Sequence, residues 1–148
     1  VDENDERHNP IMGSYGIGVG RLIASVCEAR HDQYGPLWPI SIAPWQVHIV
    51  GITQKKPEVK QVADDLYRQV LAAGLEAVYD DRQLSPGVMF ADADLLGVPI
   101  RLIVSPKNLA EGMIEVVTRD KTVQKKVPVA DIIPEVKALY EELAAPLR

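Results

Sequence analysis

Four closely spaced glycines followed by an arginine form the first group of residues that could do chemistry: Gly13, Gly16, Gly18, Gly20 and Arg21. A backbone without Cβ atoms lets a flat base or a phosphate approach closely. The spacing matches neither the dinucleotide fingerprint nor the P-loop, and Ser14 lacks the companion base of a nucleophile elbow. A cation in the first turn of a helix favours an anionic ligand, so the run indicates a nucleotide contact. A glycine-rich strand packed closely against a helix is the alternative.

A polar loop at 80–87 is the second group, and it directly follows a predicted strand. Loops at the carboxyl ends of strands in open α/β sheets are the usual ligand sites. Arg82 can read a guanine edge with two donors, and Asp81 can accept hydrogen bonds from guanine N1 and N2, as in the recognition of single-stranded loop bases. Alternatively, these two side chains only pair with each other or cap the next helix.

Strands and helices alternate in the part of the chain that would carry this loop. The predicted elements are a strand at 47–52, a helix at 57–73, a strand at 75–79, a helix at 86–96 and a strand at 100–104. Such alternation with short loops predicts parallel strands flanked by helices. Two alternating runs at 113–119 and 122–127 predict an antiparallel hairpin, and a final amphipathic helix carries Ile132 to Leu143. The prediction is an α/β fold with a mixed, mainly parallel five-stranded sheet.

The glycine run is predicted to be a strand that leads into a helix ending near His31. Prolines at 36, 39 and 44 forbid a long regular element in the next segment, but Leu37, Trp38 and Ile40 are too apolar for a free linker. We therefore expect an ordered, packed connector between two units. The predicted domain limits are residues 1–45 and 46–148.

Composition excludes several classes of protein. The chain has 148 residues, 47% hydrophobic and 25% charged, with a net charge of -5. No apolar run approaches the ~18 residues of a membrane span, so we expect a cytoplasmic protein with no membrane partner. The one cysteine, Cys27, and three isolated histidines give no metal-site spacing, so no metal ligands are predicted. The acidic balance also argues against binding nucleic acid through a broad positive field.

Most of the chain resembles one enzyme family. The segment from Gly13 to Arg21, with the following helix and residues 38–44, looks like the third class II signature motif and exit segment of bacterial-type prolyl-tRNA synthetases. The resemblance to that family's C-terminal anticodon-binding domain continues through residues 47–50, 79–82, 86–87 and 90–101.

This resemblance implies a role for residues 1–45 as the end of a class II catalytic domain. Arg21 would be the motif-three arginine that contacts ATP, and Gly16, Gly18 and Gly20 would keep the chain flat beneath adenine. The first two class II motifs would lie upstream of Val1. The parent enzyme would use ATP and Mg²⁺ to activate proline and would then transfer it to tRNA(Pro), usually as a homodimer. We expect the fragment alone to be inactive and to hold no tightly bound cofactor.

The resemblance also favours anticodon reading by Asp81 and Arg82, since the proline anticodons share two guanines. At Gln83 and Met89 the chain lacks basic residues that relatives usually carry. Asp92 and Asp94 would lie on one helix but on different faces, and are expected to serve in capping or solvation. The alternative functions are a stand-alone RNA-binding accessory module without catalytic activity, and a small nucleotide-binding regulator that uses the glycine run.

Overall fold

The computed structural model describes residues 1, 3–53 and 55–147. It contains five helices: α1 (Val19–Ala29), α2 (Pro57–Ala72), α3 (Pro86–Leu96), α4 (Pro106–Ala110) and α5 (Ile132–Ala144). It contains seven strands: β1 (His31–Asp32), β2 (Gly35–Pro36), β3 (Val47–Gly51), β4 (Ala77–Asp80), β5 (Ile100–Val104), β6 (Met113–Thr118) and β7 (Gln124–Pro128). Short 3-10 turns at Val129–Asp131 and Ala145–Leu147 flank α5.

Five of the strands form one mixed sheet in the order β4-β3-β5-β6-β7. β3 pairs in parallel with both β4 and β5, whereas β6 is antiparallel to β5 and to β7. Four of the five strands therefore run in the same direction. In the register, His48 on β3 lies between Val78 on β4 and Arg101 on β5. This sheet confirms the predicted α/β fold.

Helices cover the two faces of the sheet unequally. Every residue of β3 and of β5 is buried, as expected for parallel strands whose two faces are both covered. The larger core contains the inward faces of α2 and α5, with Val59, Leu66, Val136 and Leu139 among its members. On the opposite face only a small cluster forms, in which Met89 and Ala93 of α3 pack against Val50. The face that carries α3 therefore leaves room for polar side chains.

The bounds of α2 and α3 have local causes. A proline opens each helix, where its missing N–H costs no intrahelical hydrogen bond. A glycine with positive φ ends each one: Gly74 at +84° after α2 and Gly97 at +72° after α3. Glycine adopts this left-handed conformation without steric cost. These punctuation residues explain why both helices lie almost where the sequence predicts them.

The predicted strand through the glycine run does not form. Residues 6–18 have no regular secondary structure, and their side chains are exposed. A strand needs a neighbouring strand to take its backbone hydrogen bonds, and the described residues place none beside this segment. The helix after it, α1, is present and ends at Ala29, and Arg21 lies in its first turn.

The connector is ordered and contains a short hairpin that its prolines and glycine did not predict. Strands β1 and β2 form a small antiparallel hairpin, followed by Ile40, which is buried in the larger core. The indole of Trp38 donates a hydrogen bond to the carbonyl of Leu96, with Nε1 and O 3.1 Å apart. A Cβ at Gly35 would lie 2.8 Å from the carbonyl oxygen of Asp94. The connector therefore packs directly on the end of α3.

A buried arginine holds this hairpin to the sheet. Arg119 donates from Nη1 and Nη2 to the two carboxylate oxygens of Asp32, both at 2.7 Å, and from Nε to the carbonyl of Asp94 at 2.9 Å. Its Nη2 also donates to the carbonyl of Gly35 at 3.2 Å. The guanidinium holds the pKa of Asp32 well below its usual range. We call Asp32, Gly35, Asp94 and Arg119 the connector clamp.

Candidate functional site

The loop that the sequence singles out begins at the carboxyl end of β4 and leads into α3. Arg82 does not pair with Asp81, as one of the alternatives expected. Its Nε and Nη2 donate to the two carboxylate oxygens of Asp80, both at 2.8 Å. Its Nη2 also donates to Oδ2 of Asp92 on α3, at 2.7 Å. Arg82 therefore links the last residue of a strand to the middle of the next helix.

The pair formed by Asp80 and Arg82 stays ionised at physiological pH. The side chain of Asp80 is 5% exposed, whereas that of Arg82 is 49% exposed. Hydrogen bonds from Arg82 hold the pKa of Asp80 below its ordinary value, and the two carboxylates raise the pKa of Arg82 above its own. A buried carboxylate thus fixes a half-exposed guanidinium at the surface of the molecule.

Asp81 is exposed to solvent, and the described hydrogen bonds of the Arg82 side chain go to Asp80 and Asp92 instead. It lines a shallow cleft together with Arg82 and Asp92, and the apolar part of the lining includes Leu95 and Leu96 of α3. Both leucines are exposed. The cleft therefore combines an apolar wall with carboxylate and guanidinium groups at its rim, which suits a planar group with a polar edge.

A buried histidine that the sequence analysis did not assign to the site also lines this cleft. His48 is 2% exposed, and its Nδ1 has no hydrogen-bond partner among the described residues. Burial, followed by the positive charge of Arg101, lowers the pKa of His48 to about 4. The imidazole is therefore neutral at physiological pH. His48 lies among the apolar residues of β3, and nothing in the local sequence distinguishes it from a histidine of the core.

The pKa of His48 predicts a pH dependence of stability. Unfolding returns this pKa from about 4 to 6.5, so the unfolded chain binds the additional proton between these values. The free energy of unfolding should thus fall by roughly 2 kcal/mol between pH 7 and pH 5. Urea unfolding at both pH values measures the change. In the His48→Leu variant the decrease should largely disappear; an undiminished decrease would assign it to other groups.

The two acidic residues predicted on separate faces of α3 do lie apart. Asp92 accepts from Arg82, whereas Asp94 accepts from Nη2 of the buried Arg101 at 2.6 Å. Their expected roles in capping and solvation are replaced by ion pairs with arginines. Phe90 is partly buried against the small cluster and Met89 is fully buried within it, so the side chain of Met89 is not accessible to a ligand.

Arg21 and the glycines lie in a different part of the molecule, in the exposed segment before α1 and in its first turn. A Cβ at Gly16 or Gly20 would meet no atom within 4 Å, and at Gly18 the nearest atom would be Nε of Arg21 at 3.4 Å. Close packing against another described element does not explain these glycines. Their open surroundings are compatible with contact to a ligand or to further chain.

Comparison with known proteins gives the family of the segment that carries the cleft. The sequence profile of the anticodon binding domain matches residues 46–139. The chain belongs to this anticodon binding domain family. The matched residues span β3 to the greater part of α5, and so include the whole five-stranded sheet of the anticodon binding domain.

Curated relatives extend the similarity over most of the chain. A proline–tRNA ligase of Dehalococcoides mccartyi strain 195 is 46% identical over 136 residues, which is 92% of this chain and 24% of the relative. A proline–tRNA ligase of Geobacter sp. strain M21 is 42% identical over 142 residues, covering 96% of this chain and 25% of the relative. This chain thus spans about a quarter of the length of these relatives.

A solved structure supports the same fold. The crystal structure of prolyl-tRNA synthetase from Cryptosporidium parvum, complexed with L-proline and AMP, aligns with a TM-score of 0.76 and 27% identity. The alignment covers 86% of this chain and 27% of that chain.

Among the described residues, none of the helices has both the length and the apolar character of a membrane span. The same residues contain no group of three or more histidine, cysteine or acidic side chains that could hold a metal ion.

Proposed function

We propose that the chain is the anticodon-reading part of a proline–tRNA ligase. The parent enzyme would activate proline with ATP and Mg²⁺ and transfer it to tRNA(Pro) in the cytoplasm, as a homodimer. The names of the relatives and the family of residues 46–139 support this proposal. The observation that carries the reading role is the guanidinium of Arg82, fixed by a buried carboxylate at the edge of the sheet and half-exposed.

Within this proposal, residues 1–45 are the end of the class II catalytic domain and residues 46–148 are the anticodon-binding domain. Arg21 would contact ATP, and Gly16, Gly18 and Gly20 would let adenine approach the backbone. The open space around these glycines supports such an approach. We predict that the fragment alone is inactive, because the rest of the ATP site would come from the remaining length of the parent enzyme.

The proposed reading chemistry uses one acceptor group and one donor group. The exposed carboxylate of Asp81 would accept hydrogen bonds from N1 and N2 of a guanine. Nη1 of Arg82 takes part in none of its described hydrogen bonds, so it would donate to one acceptor on the other edge of the guanine, O6 or N7. Bases of a single-stranded loop expose both of these edges.

Arg82→Ala should lower the affinity for an anticodon stem–loop of tRNA(Pro) by about tenfold, because a base-reading arginine contributes to discrimination rather than to overall attraction. The same loop with its two guanines replaced by adenines should lose much less affinity. Fluorescence anisotropy with both labelled RNAs measures the two losses. Equal losses on both RNAs would reduce Arg82 to a phosphate contact or a structural residue.

Arg68→Ala is the matched control for this experiment. Arg68 is also exposed and also pairs with an aspartate, Asp65, but both residues lie on α2, which packs in the larger core on the opposite face of the sheet. The two variants remove the same charge from the surface. Only the loss at Arg82 should depend on the guanines.

A further inference from the structure

The donors of Arg82 are divided between the protein and the ligand in an unusual way. A guanidinium has five N–H groups in a fixed fork. Asp80 takes the Nε group and one of the two on Nη2, and Asp92 takes the other one on Nη2. The two groups on Nη1 are left. An arginine binds both oxygens of an oxyanion either through Nε and Nη2 or through Nη1 and Nη2. Both arrangements need Nη2, and its two N–H groups are already occupied.

Charge adds to this geometry. Asp80 and Asp92 place two carboxylates against one guanidinium, the exposed Asp81 lines the same cleft, and the neutral His48 in that lining adds no positive charge. The immediate surroundings of Arg82 are therefore net negative. A phosphate brought to this point meets repulsion from the carboxylates, whereas the uncharged edge of a base does not.

We propose that Asp92 is a specificity-determining residue that positions Arg82. By occupying Nη2, it prevents the guanidinium from binding a phosphate through two nitrogens and leaves only Nη1 available to a base. This inference rests on the proposed function, because it takes the ligand to be an RNA loop. Phosphate contacts carry no sequence information, and base contacts do. Asp92 thus acts through Arg82 and decides which part of the RNA the arginine contacts.

The position of Asp92 separates this role from a purely structural one. Its side chain is 41% exposed, and α3 is fixed to the sheet by Met89 and Ala93. Removing the carboxylate therefore leaves the packing of the helix in place. Asp80 still holds Arg82 through two hydrogen bonds, but Nη2 regains a free donor beside Nη1.

The test compares the wild-type chain with Asp92→Ala and with the isosteric Asp92→Asn. Anisotropy titrations use the guanine-containing stem–loop and the adenine-substituted one over a series of salt concentrations. In Asp92→Ala we expect the ratio of the two affinities to fall about fivefold, chiefly because the adenine-substituted loop binds more tightly. The salt dependence of binding should steepen by about one phosphate contact. Asp92→Asn should change the ratio in the same direction.

Asp65→Ala controls for the loss of one negative charge, since Asp65 lies on α2 and pairs with Arg68. It should leave the ratio of affinities unchanged. If the wild-type chain prefers guanine and both Asp92 variants keep the same ratio, this inference is overturned and the proposed function stands. If the wild-type chain shows no preference for guanine, the proposed function fails and the inference fails with it.

Discussion

Replacing Gly97 with alanine is expected to lower the free energy of unfolding by about 3 kcal/mol, because the new Cβ meets both backbone strain and crowding. Gly97 has a φ of +72°, where an L side chain is strained, and the Cβ would lie 2.4 Å from the carbonyl oxygen of Pro36. It would also lie 3.0 Å from the indole of Trp38. Urea unfolding followed by tryptophan fluorescence measures the loss.

Gly74→Ala separates the two causes. Gly74 has a similar φ of +84°, but a Cβ there would meet no atom within 4 Å. This variant should lose only the strain energy, roughly 1–2 kcal/mol. The difference between the two variants measures how closely the connector packs on α3. Equal losses would show that the connector yields to the added Cβ without cost.

Arg119→Ala is expected to have an effect of similar size, about 3 kcal/mol, because it removes a buried guanidinium together with its four hydrogen bonds. Arg119 directly follows β6 and its side chain is 2% exposed; its four hydrogen bonds join the end of this strand to the hairpin and to α3. Its removal also leaves the carbonyl oxygens of Gly35 and Asp94 without this donor. Equilibrium unfolding in urea again gives the magnitude.

Arg68→Ala is the control for this variant as well. It also breaks an arginine–aspartate pair, but both side chains are exposed and lie three residues apart on α2. Exposed pairs of this kind contribute only a few tenths of a kcal/mol. A loss at Arg119 no greater than that at Arg68 would contradict the idea that the connector clamp stabilises the fold.

Local signals explain why much of the fold could be predicted from the sequence. Pro57 and Gly74 bound α2, and Pro86 and Gly97 bound α3, because proline and glycine constrain the backbone independently of the rest of the chain. The apolar residues of β5, interrupted only by Arg101, likewise indicate a strand that is buried on both faces. The hairpin formed by β6 and β7 follows from alternation around Asp120 and Lys121.

Features that depend on contacts distant in sequence could not be predicted in this way. The loop pointed to Arg82, but its partner Asp92 lies ten residues away on another element. The connector clamp joins Asp32 to Arg119 across 87 residues. The predicted strand in the glycine run failed for the complementary reason: its residues allow an extended backbone, but pairing also needs a neighbouring strand, which local sequence does not reveal.

The docking of the connector has a mechanical consequence. Because the hairpin, Trp38 and α3 pack together, residues 31–45 and the loop at Arg82 belong to one stiff body. Residues 13–18, by contrast, are exposed and have no regular secondary structure, so this packing does not constrain their glycine-containing backbone. The connector thus keeps a fixed position relative to the loop at Arg82.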